Sequence, residues 1–221
     1  MISAEATRWK LFPERNRRRM DTGQKPPSGL YHPYLRRVFI GLYPATSGLA
    51  RIHQIVRDLP RSLMLDTPED LHVTLLFGGD QTLDREPLWK KATGRAAQAL
   101  ENFCHLPMES ILLEKRHSIL AIRFFGAVPF WEQVASLANT LSRDLLGLSP
   151  TKPFWPHMTL SRKASRIPLE NVRISPPIYP FENAPFFAGV RLFASGDPED
   201  RRKRRYSILT DFPFQQEQHG H

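Results

Sequence analysis

Two histidine–threonine pairs with the same spacing are the feature of this sequence most able to do chemistry. His72 and Thr74 form one pair, and His157 and Thr159 form the other. In a β-strand, residues i and i+2 point to the same side, so each pair would present an imidazole and a hydroxyl on one face. Across a cleft, the two imidazoles could serve as acid and base while the hydroxyls hold phosphate oxygens. The pattern therefore predicts hydrolysis of a phosphodiester.

A repeat with a period of 85 residues relates the two pairs. The shift places Gly-Leu-Tyr-Pro at 41–44 on Gly-Ala-Val-Pro at 126–129, and His-Val-Thr-Leu at 72–75 on His-Met-Thr-Leu at 157–160. Chance would give roughly 0.4 His-x-Thr triplets in a chain of this composition, so two in matched positions indicate a duplicated unit. Two copies predict two similar lobes, with the equivalent strands brought together at a pseudo-two-fold axis.

Hydrophobic patterning predicts the elements that position these residues. Strands are predicted at 37–42, 71–77, 119–125, 157–162, 186–194 and 205–212, with one more strand between 107 and a turn at 114–117. Helices are predicted over 46–58, 87–101 and 130–146, and Gly147 is expected to terminate the last one. Gly78 and Gly79 are expected to end the strand predicted at 71–77.

The net charge of +9 is concentrated in two segments. Residues 1–34 carry seven basic and three acidic side chains, and residues 201–205 are five consecutive basic residues. The remainder is balanced, so both segments are either contacts for a polyanion such as RNA or solvated surface. We expect 1–34 to be a disordered basic extension, 35–214 a single bilobal catalytic domain and 215–221 a flexible tail.

The composition narrows the class of protein. A hydrophobic fraction of 41% with one cysteine is typical of a globular protein that has no intrachain disulfide framework. No apolar run approaches the roughly 20 residues that span a bilayer, and the N-terminus lacks the apolar segment of a secretory signal. A Walker-type phosphate loop and metal-ligand spacing in the folded body are also missing from the sequence. We therefore expect a cytoplasmic protein with no membrane partner.

The sequence resembles the bacterial and archaeal RNA 2′,3′-cyclic phosphodiesterases, also called 2′-5′ RNA ligases, of the 2H phosphoesterase superfamily. The resemblance rests on the two His-x-Thr-Leu motifs and extends over residues 36–213, including the blocks 37–42, 71–77, 153–162 and 206–212. It implies an α+β, bilobal 2H phosphoesterase fold. Two pseudo-symmetric lobes, each with an antiparallel sheet and flanking helices, would surround a central cleft.

The same resemblance implies hydrolysis of a terminal 2′,3′-cyclic phosphate to a 2′-phosphate without a metal or other cofactor. His72 would be the proton donor to the leaving 3′ oxygen, and His157 the proton acceptor. Thr74, Thr159 and Arg162 would bind the substrate phosphate, although strand alternation alone would turn Arg162 to the opposite face. The implied partner is RNA with a cyclic phosphate end, tRNA fragments being one candidate, and the protein is expected to be a monomer.

The sequence leaves two alternatives open. The same residues could run the reaction in reverse and join RNA ends by a 2′-5′ bond, or the chain could be a non-catalytic RNA-binding module. Phe154 and Trp155, just before the second motif, could stack a nucleobase or pack in the core.

Overall fold

The structure, a computed structural model, describes nine stretches of the chain. These are residues 36–57, 59, 63–103, 110–116, 118–125, 129–147, 154–164, 185–195 and 206–215. All of them lie in one compact unit, Pro33–His221. The extension expected at 1–34, the basic run at 201–205 and the tail after 215 lie outside the described residues.

Strands and helices follow the order that the hydrophobic pattern predicts. In chain order they are β1 (Arg36–Pro44), α1 (Thr46–Val56), β2 (Val73–Gln81), α2 (Glu86–Glu101), β3 (Ser110–Arg116), β4 (Ile119–Phe125), α3 (Pro129–Leu146), β5 (His157–Ser161), β6 (Phe187–Ser195) and β7 (Tyr206–Pro213). Short 3-10 turns span Pro68–Asp70 and Leu83–Arg85. Gly147 follows α3 with a φ of 64°, the left-handed conformation that ends a helix, as predicted.

The strands form one seven-stranded sheet in the order β3-β4-β5-β2-β1-β6-β7. Each strand pairs antiparallel with its neighbours. The predicted α+β class and antiparallel pairing are therefore confirmed. The duplicated unit is also visible, because β1-α1-β2 and β4-α3-β5 are both strand–helix–strand segments. Their equivalent strands, β2 and β5, are adjacent at the centre, so the sheets of the two halves join into one.

Alternating side chains divide the sheet into a core face and an open face. Val38, Ile40 and Leu42 of β1 belong to the hydrophobic core, as do Val190 and Leu192 of β6. Helices α2 and α3 contact each other and the sheet, so they cover this core face. The residues between these core positions face the other way, where they are available to build a site.

Several predicted boundaries differ from the structure. Helix α1 ends at Val56 and not at 58, β2 begins at Val73 and not at 71, and β5 ends at Ser161 and not at 162.

Strand β2 does not end at Gly78 and Gly79 but continues through them to Gln81. A side chain at Gly78 would collide with the ring of Trp89, and Gly79, with a φ of 67°, pairs with Val38. The turn predicted at 114–117 is too long, since β3 runs through Arg116.

Candidate active site

The two His-x-Thr pairs meet at the junction of the two halves. Val73 and Met158, the middle residues of the two motifs, are antiparallel partners and are each 0% exposed. Because neighbouring strand residues face opposite sides, the flanking histidines and threonines all lie on the open face. Extending the register places His72 opposite Thr159 and Thr74 opposite His157, with facing Cβ atoms about 5 Å apart. The register thus brings the four residues to one patch of this face.

Both histidines are oriented by the same hydrogen bond. His72 Nδ1 lies 2.7 Å from the carbonyl oxygen of Asp70, and His157 Nδ1 lies 2.9 Å from that of Trp155. A carbonyl oxygen only accepts, so Nδ1 carries the proton and donates it in each case. Nε2 of each ring is then the atom that can take up or release a proton. The two halves are therefore alike in the tautomer of their motif histidine as well as in their backbone.

His72 is enclosed by aromatic rings from three strands. Ring centroids of Phe39, Phe193 and Tyr206 lie 4.5, 5.0 and 5.4 Å from the His72 centroid, and His72 is 9% exposed. Burial lowers the pKa of His72 to about 4, because the imidazolium loses hydration. The Asp70 carbonyl opposes this shift, while repulsion by Arg162, and by His157 whenever that imidazole is protonated, lowers the pKa of His72 further. His72 is consequently neutral at neutral pH in the unliganded protein.

Gly41 on β1 leaves the space that the His72 side chain occupies. A Cβ atom at position 41 would lie 3.3 Å from Cβ and Cδ2 of His72 and 3.3 Å from Cε2 of Phe193. Gly41 also pairs directly with Thr74. The glycine therefore permits the close approach that seats the imidazole among the aromatic rings.

His157 is supported by stacking. Its imidazole lies on the indole of Trp155 with centroids 4.1 Å apart and planes 22° apart. Arg123, the cross-strand partner of His157 on β4, approaches the same indole at 5.9 Å. Phe154 instead stacks on Trp131 and packs against the core. Phe154 thus packs against the core, one of the two roles predicted for these aromatics. Trp155 supports a motif histidine, and stacking on a nucleobase stays a prediction.

Arg162 reaches the site because β5 ends just before it. Ser161 is fully buried, donates a hydrogen bond to the Met64 carbonyl at 2.6 Å and accepts one from the Lys163 amide at 3.2 Å. The chain bends at Arg162, whose Nη2 donates to the Tyr206 hydroxyl at 3.3 Å. This bend supplies the change of direction that strand alternation could not give.

The arginines near the site differ in whether a carboxylate lies close enough to form an ion pair. Arg191 contacts Asp211 at 2.8 Å, and Arg123 lies 3.8 Å from Glu114. Among the residues that the structure describes, no carboxylate forms an ion pair with Arg162. Arg162 instead donates a hydrogen bond to the uncharged hydroxyl of Tyr206.

Several residues at this face were not singled out from sequence. Arg123, Gly41 and Arg191 lie in one cross-strand row with the motif residues, because Arg123 pairs with His157 and Gly41 pairs with both Thr74 and Arg191. Alternation within β4 and β6 does predict that Arg123 and Arg191 face away from the core. Their position beside the motifs depends on strand order, which no local pattern reveals.

The described stretches hold neither a metal-binding cluster nor a candidate membrane span. No group of three or more His, Cys, Asp or Glu residues is placed there to hold a metal ion. No helix within these stretches is long and apolar enough to cross a membrane.

Solved structures of low sequence identity share this fold. LigT from E. coli without ligand has a TM-score of 0.59 and is 22% identical, covering 83% of this chain and 99% of its own. LigT from E. coli complexed with 3′-AMP has a TM-score of 0.54 at 24% identity, covering 82% and 99%. TT0787 of Thermus thermophilus has a TM-score of 0.55 at 20% identity, covering 80% and 97%.

The comparisons agree with the fold that the paired motifs predicted. A further structure described as a phosphoesterase has a TM-score of 0.55 at 23% identity, covering 82% of this chain and 99% of its own. No protein-family model and no curated protein matches the sequence. The chain therefore shares the fold of LigT, with its two His-x-Thr motifs at the centre of the sheet.

Proposed function

We propose that this protein is a phosphodiesterase that hydrolyses the 2′,3′-cyclic phosphate at RNA ends to a 2′-phosphate. The observation that carries the proposal is the juxtaposition of two His-x-Thr motifs on one sheet face, through the pairing of Val73 with Met158. The shared fold with LigT, which has been solved with 3′-AMP, and with a phosphoesterase supports a nucleotide phosphate as the substrate class.

The five side chains supply the groups that in-line displacement at phosphorus requires. His157 Nε2 would take a proton from the attacking water, and His72 Nε2 would give one to the departing 3′ oxygen. The hydroxyls of Thr74 and Thr159 would donate to the non-bridging oxygens, where negative charge accumulates in the transition state. Arg162 would add a positive charge beside them. All five residues act through their own side chains, and no step of this scheme needs a metal or cofactor.

Binding of the substrate would itself favour protonation of His72, the proton donor. With its pKa lowered to about 4, His72 carries little charge at neutral pH before substrate binds. A phosphate anion next to Nε2 favours the imidazolium and raises the pKa of His72. The acid would thus be protonated mainly in the complex, where the proton is needed.

Replacement of either motif histidine tests the proposal. On an oligonucleotide with a 2′,3′-cyclic phosphate end, His72→Ala and His157→Ala should each lower kcat by about 10²–10⁴-fold, the usual contribution of a general acid or base. His53→Ala is the matched control, because His53 is exposed on α1. Near-normal turnover by either motif variant, or no turnover by the unmutated protein, would refute the proposal.

The same assay distinguishes the alternatives. Adding an RNA fragment with a 5′-hydroxyl offers a nucleophile that can replace water and break the same P–O3′ bond, so a mainly joined 2′-5′ product would identify a ligase instead. RNA affinity that survives loss of both histidines, together with no turnover by the unmutated protein, would identify a binding module. Predominant release of 2′-phosphate ends supports hydrolysis.

A further inference from the structure

Tyr206, the first residue of β7, links the two halves of the sheet at the site. Its ring lies against His72 in the half that contains β1, β2, β6 and β7. Its hydroxyl accepts a hydrogen bond from Arg162, which follows β5 in the other half. We propose that Tyr206 is a positioning residue that holds the Arg162 guanidinium over the phosphate patch. The inference rests on the proposed function and deepens it.

Packing fixes the tyrosine ring. Its centroid lies 4.9 Å from that of Phe39 at 80°, 5.4 Å from that of His72 at 84° and 6.2 Å from that of Phe193 at 69°. Edge-to-face contacts on several sides restrict the rotamer of Tyr206. The hydroxyl is therefore held in place before any ligand arrives.

Arg162 has the opposite character. It is exposed, it lies in the bend after β5, and its long side chain has many rotamers in the absence of a partner. One hydrogen bond to a fixed acceptor selects the orientation directed toward His72. Preorganisation of this kind lowers the cost of binding the substrate, since fewer rotamers must be lost on binding.

The chemical nature of the acceptor matters. A phenol oxygen is uncharged, so it orients the guanidinium without neutralising it. Asp211 does neutralise Arg191, whose Nε and Nη2 both donate to one carboxylate oxygen at 3.0 and 2.8 Å. Tyr206 uses only Nη2 of Arg162, leaving other N–H donors for phosphate oxygens. The contrast assigns Arg162 to ligand binding and Arg191 to a structural ion pair.

Removal of the hydroxyl alone provides the first test. Tyr206→Phe keeps the ring packing, and we expect KM for a cyclic phosphate oligonucleotide to rise about fivefold while kcat changes by less than about twofold. In an Arg162→Ala background, Tyr206→Phe should have no further effect on KM, because the arginine that it positions is gone. Equal effects in both backgrounds would overturn the inference.

Tyr43→Phe is the matched control. Tyr43 lies on the same strand face as Gly41, and its hydroxyl interacts with Asp211 rather than Arg162. Tyr43→Phe removes a tyrosine hydroxyl from the same face without touching the proposed link. An unchanged KM in this variant is expected, whereas a KM rise equal to that of Tyr206→Phe would show that any lost hydroxyl on this face has the same effect.

A second readout does not require turnover. NMR titration of the His72 ring should show a higher pKa in Arg162→Ala, because a nearby positive charge is removed. Tyr206→Phe should raise the pKa of His72 by a smaller amount, and should leave it unchanged when Arg162 is already alanine. This titration tests the link even if the proposed function fails. A Tyr206→Phe effect that persists without Arg162, or no effect with Arg162 present, would refute it.

Discussion

Val73 and Met158 are antiparallel partners at the junction of β2 and β5, and both side chains are completely buried. This pair determines the site, because strand alternation then places both histidines and both threonines on the opposite face. A register slip of one residue would turn one motif into the core. The buried valine and methionine therefore specify where the polar patch forms, although their own side chains lie on the core face.

Substitution of sulfur for the 3′ oxygen of the cyclic phosphate should distinguish the roles of the two histidines. A thiolate is a weaker base than an alkoxide, so it leaves without help from a general acid. We expect this substrate to restore activity to His72→Ala, which lacks the proposed proton donor. His157→Ala should remain inactive. Single-turnover rates on the oxygen and sulfur substrates provide the measurement. Rescue of His157→Ala alone would exchange the two assignments.

The stability of the protein should depend on pH through His72. Burial lowers the pKa of His72 to about 4 in the folded state, against a value of about 6.5 in the unfolded chain. The unfolded state therefore binds a proton first as the pH falls. The contribution of His72 is fully present above about pH 6.5 and is lost as the pH falls toward about 4.

Urea unfolding of the unmutated protein and of His72→Gln at several pH values measures this effect. Other groups titrate in both proteins, so the difference between their free energies of unfolding isolates His72. The difference should be constant above about pH 7 and should shift in favour of the variant as the pH falls through that window. A pH-independent difference would show that burial does not perturb His72.

Enlarging Gly41 should impair catalysis more than folding. The added methyl group of Gly41→Ala would press on His72 and Phe193 at 3.3 Å, so the imidazole must move by a few tenths of an ångström. Small displacements of catalytic groups are costly, and we expect kcat/KM to fall by about tenfold or more. Thermal unfolding of the same variant reports its stability.

Gly94→Ala serves as the control for that experiment. Its new Cβ would meet the Phe212 ring at 3.2 Å, an equally tight contact, but Gly94 lies on α2 at the core side of the sheet. Activity should be retained in Gly94→Ala. A similar loss of kcat/KM in both variants would point to general disturbance of packing, and full activity in Gly41→Ala would show that His72 tolerates displacement.

The sequence alone determined the features that depend on short spacings along the chain. The i, i+2 spacing placed each His–Thr pair on one strand face, and the 85-residue repeat predicted that the two strands are equivalent and central. Strand and helix positions followed from apolar periodicity. Gly78 was predicted to end a strand, but it lies within β2. The reason for a glycine at this position is non-local, since Trp89 of α2 occupies the space where a side chain would be.

Only the tertiary structure decided how the motifs meet and what surrounds them. The register between Val73 and Met158 joins residues 85 positions apart, and the bend that directs Arg162 depends on a bond from Ser161 to Met64, 97 residues away. The burial of His72 requires rings from β1, β6 and β7 together. Such contacts arise from strand order and packing, and local patterning carries no information about either, because each strand is compatible with several neighbours until the whole core forms.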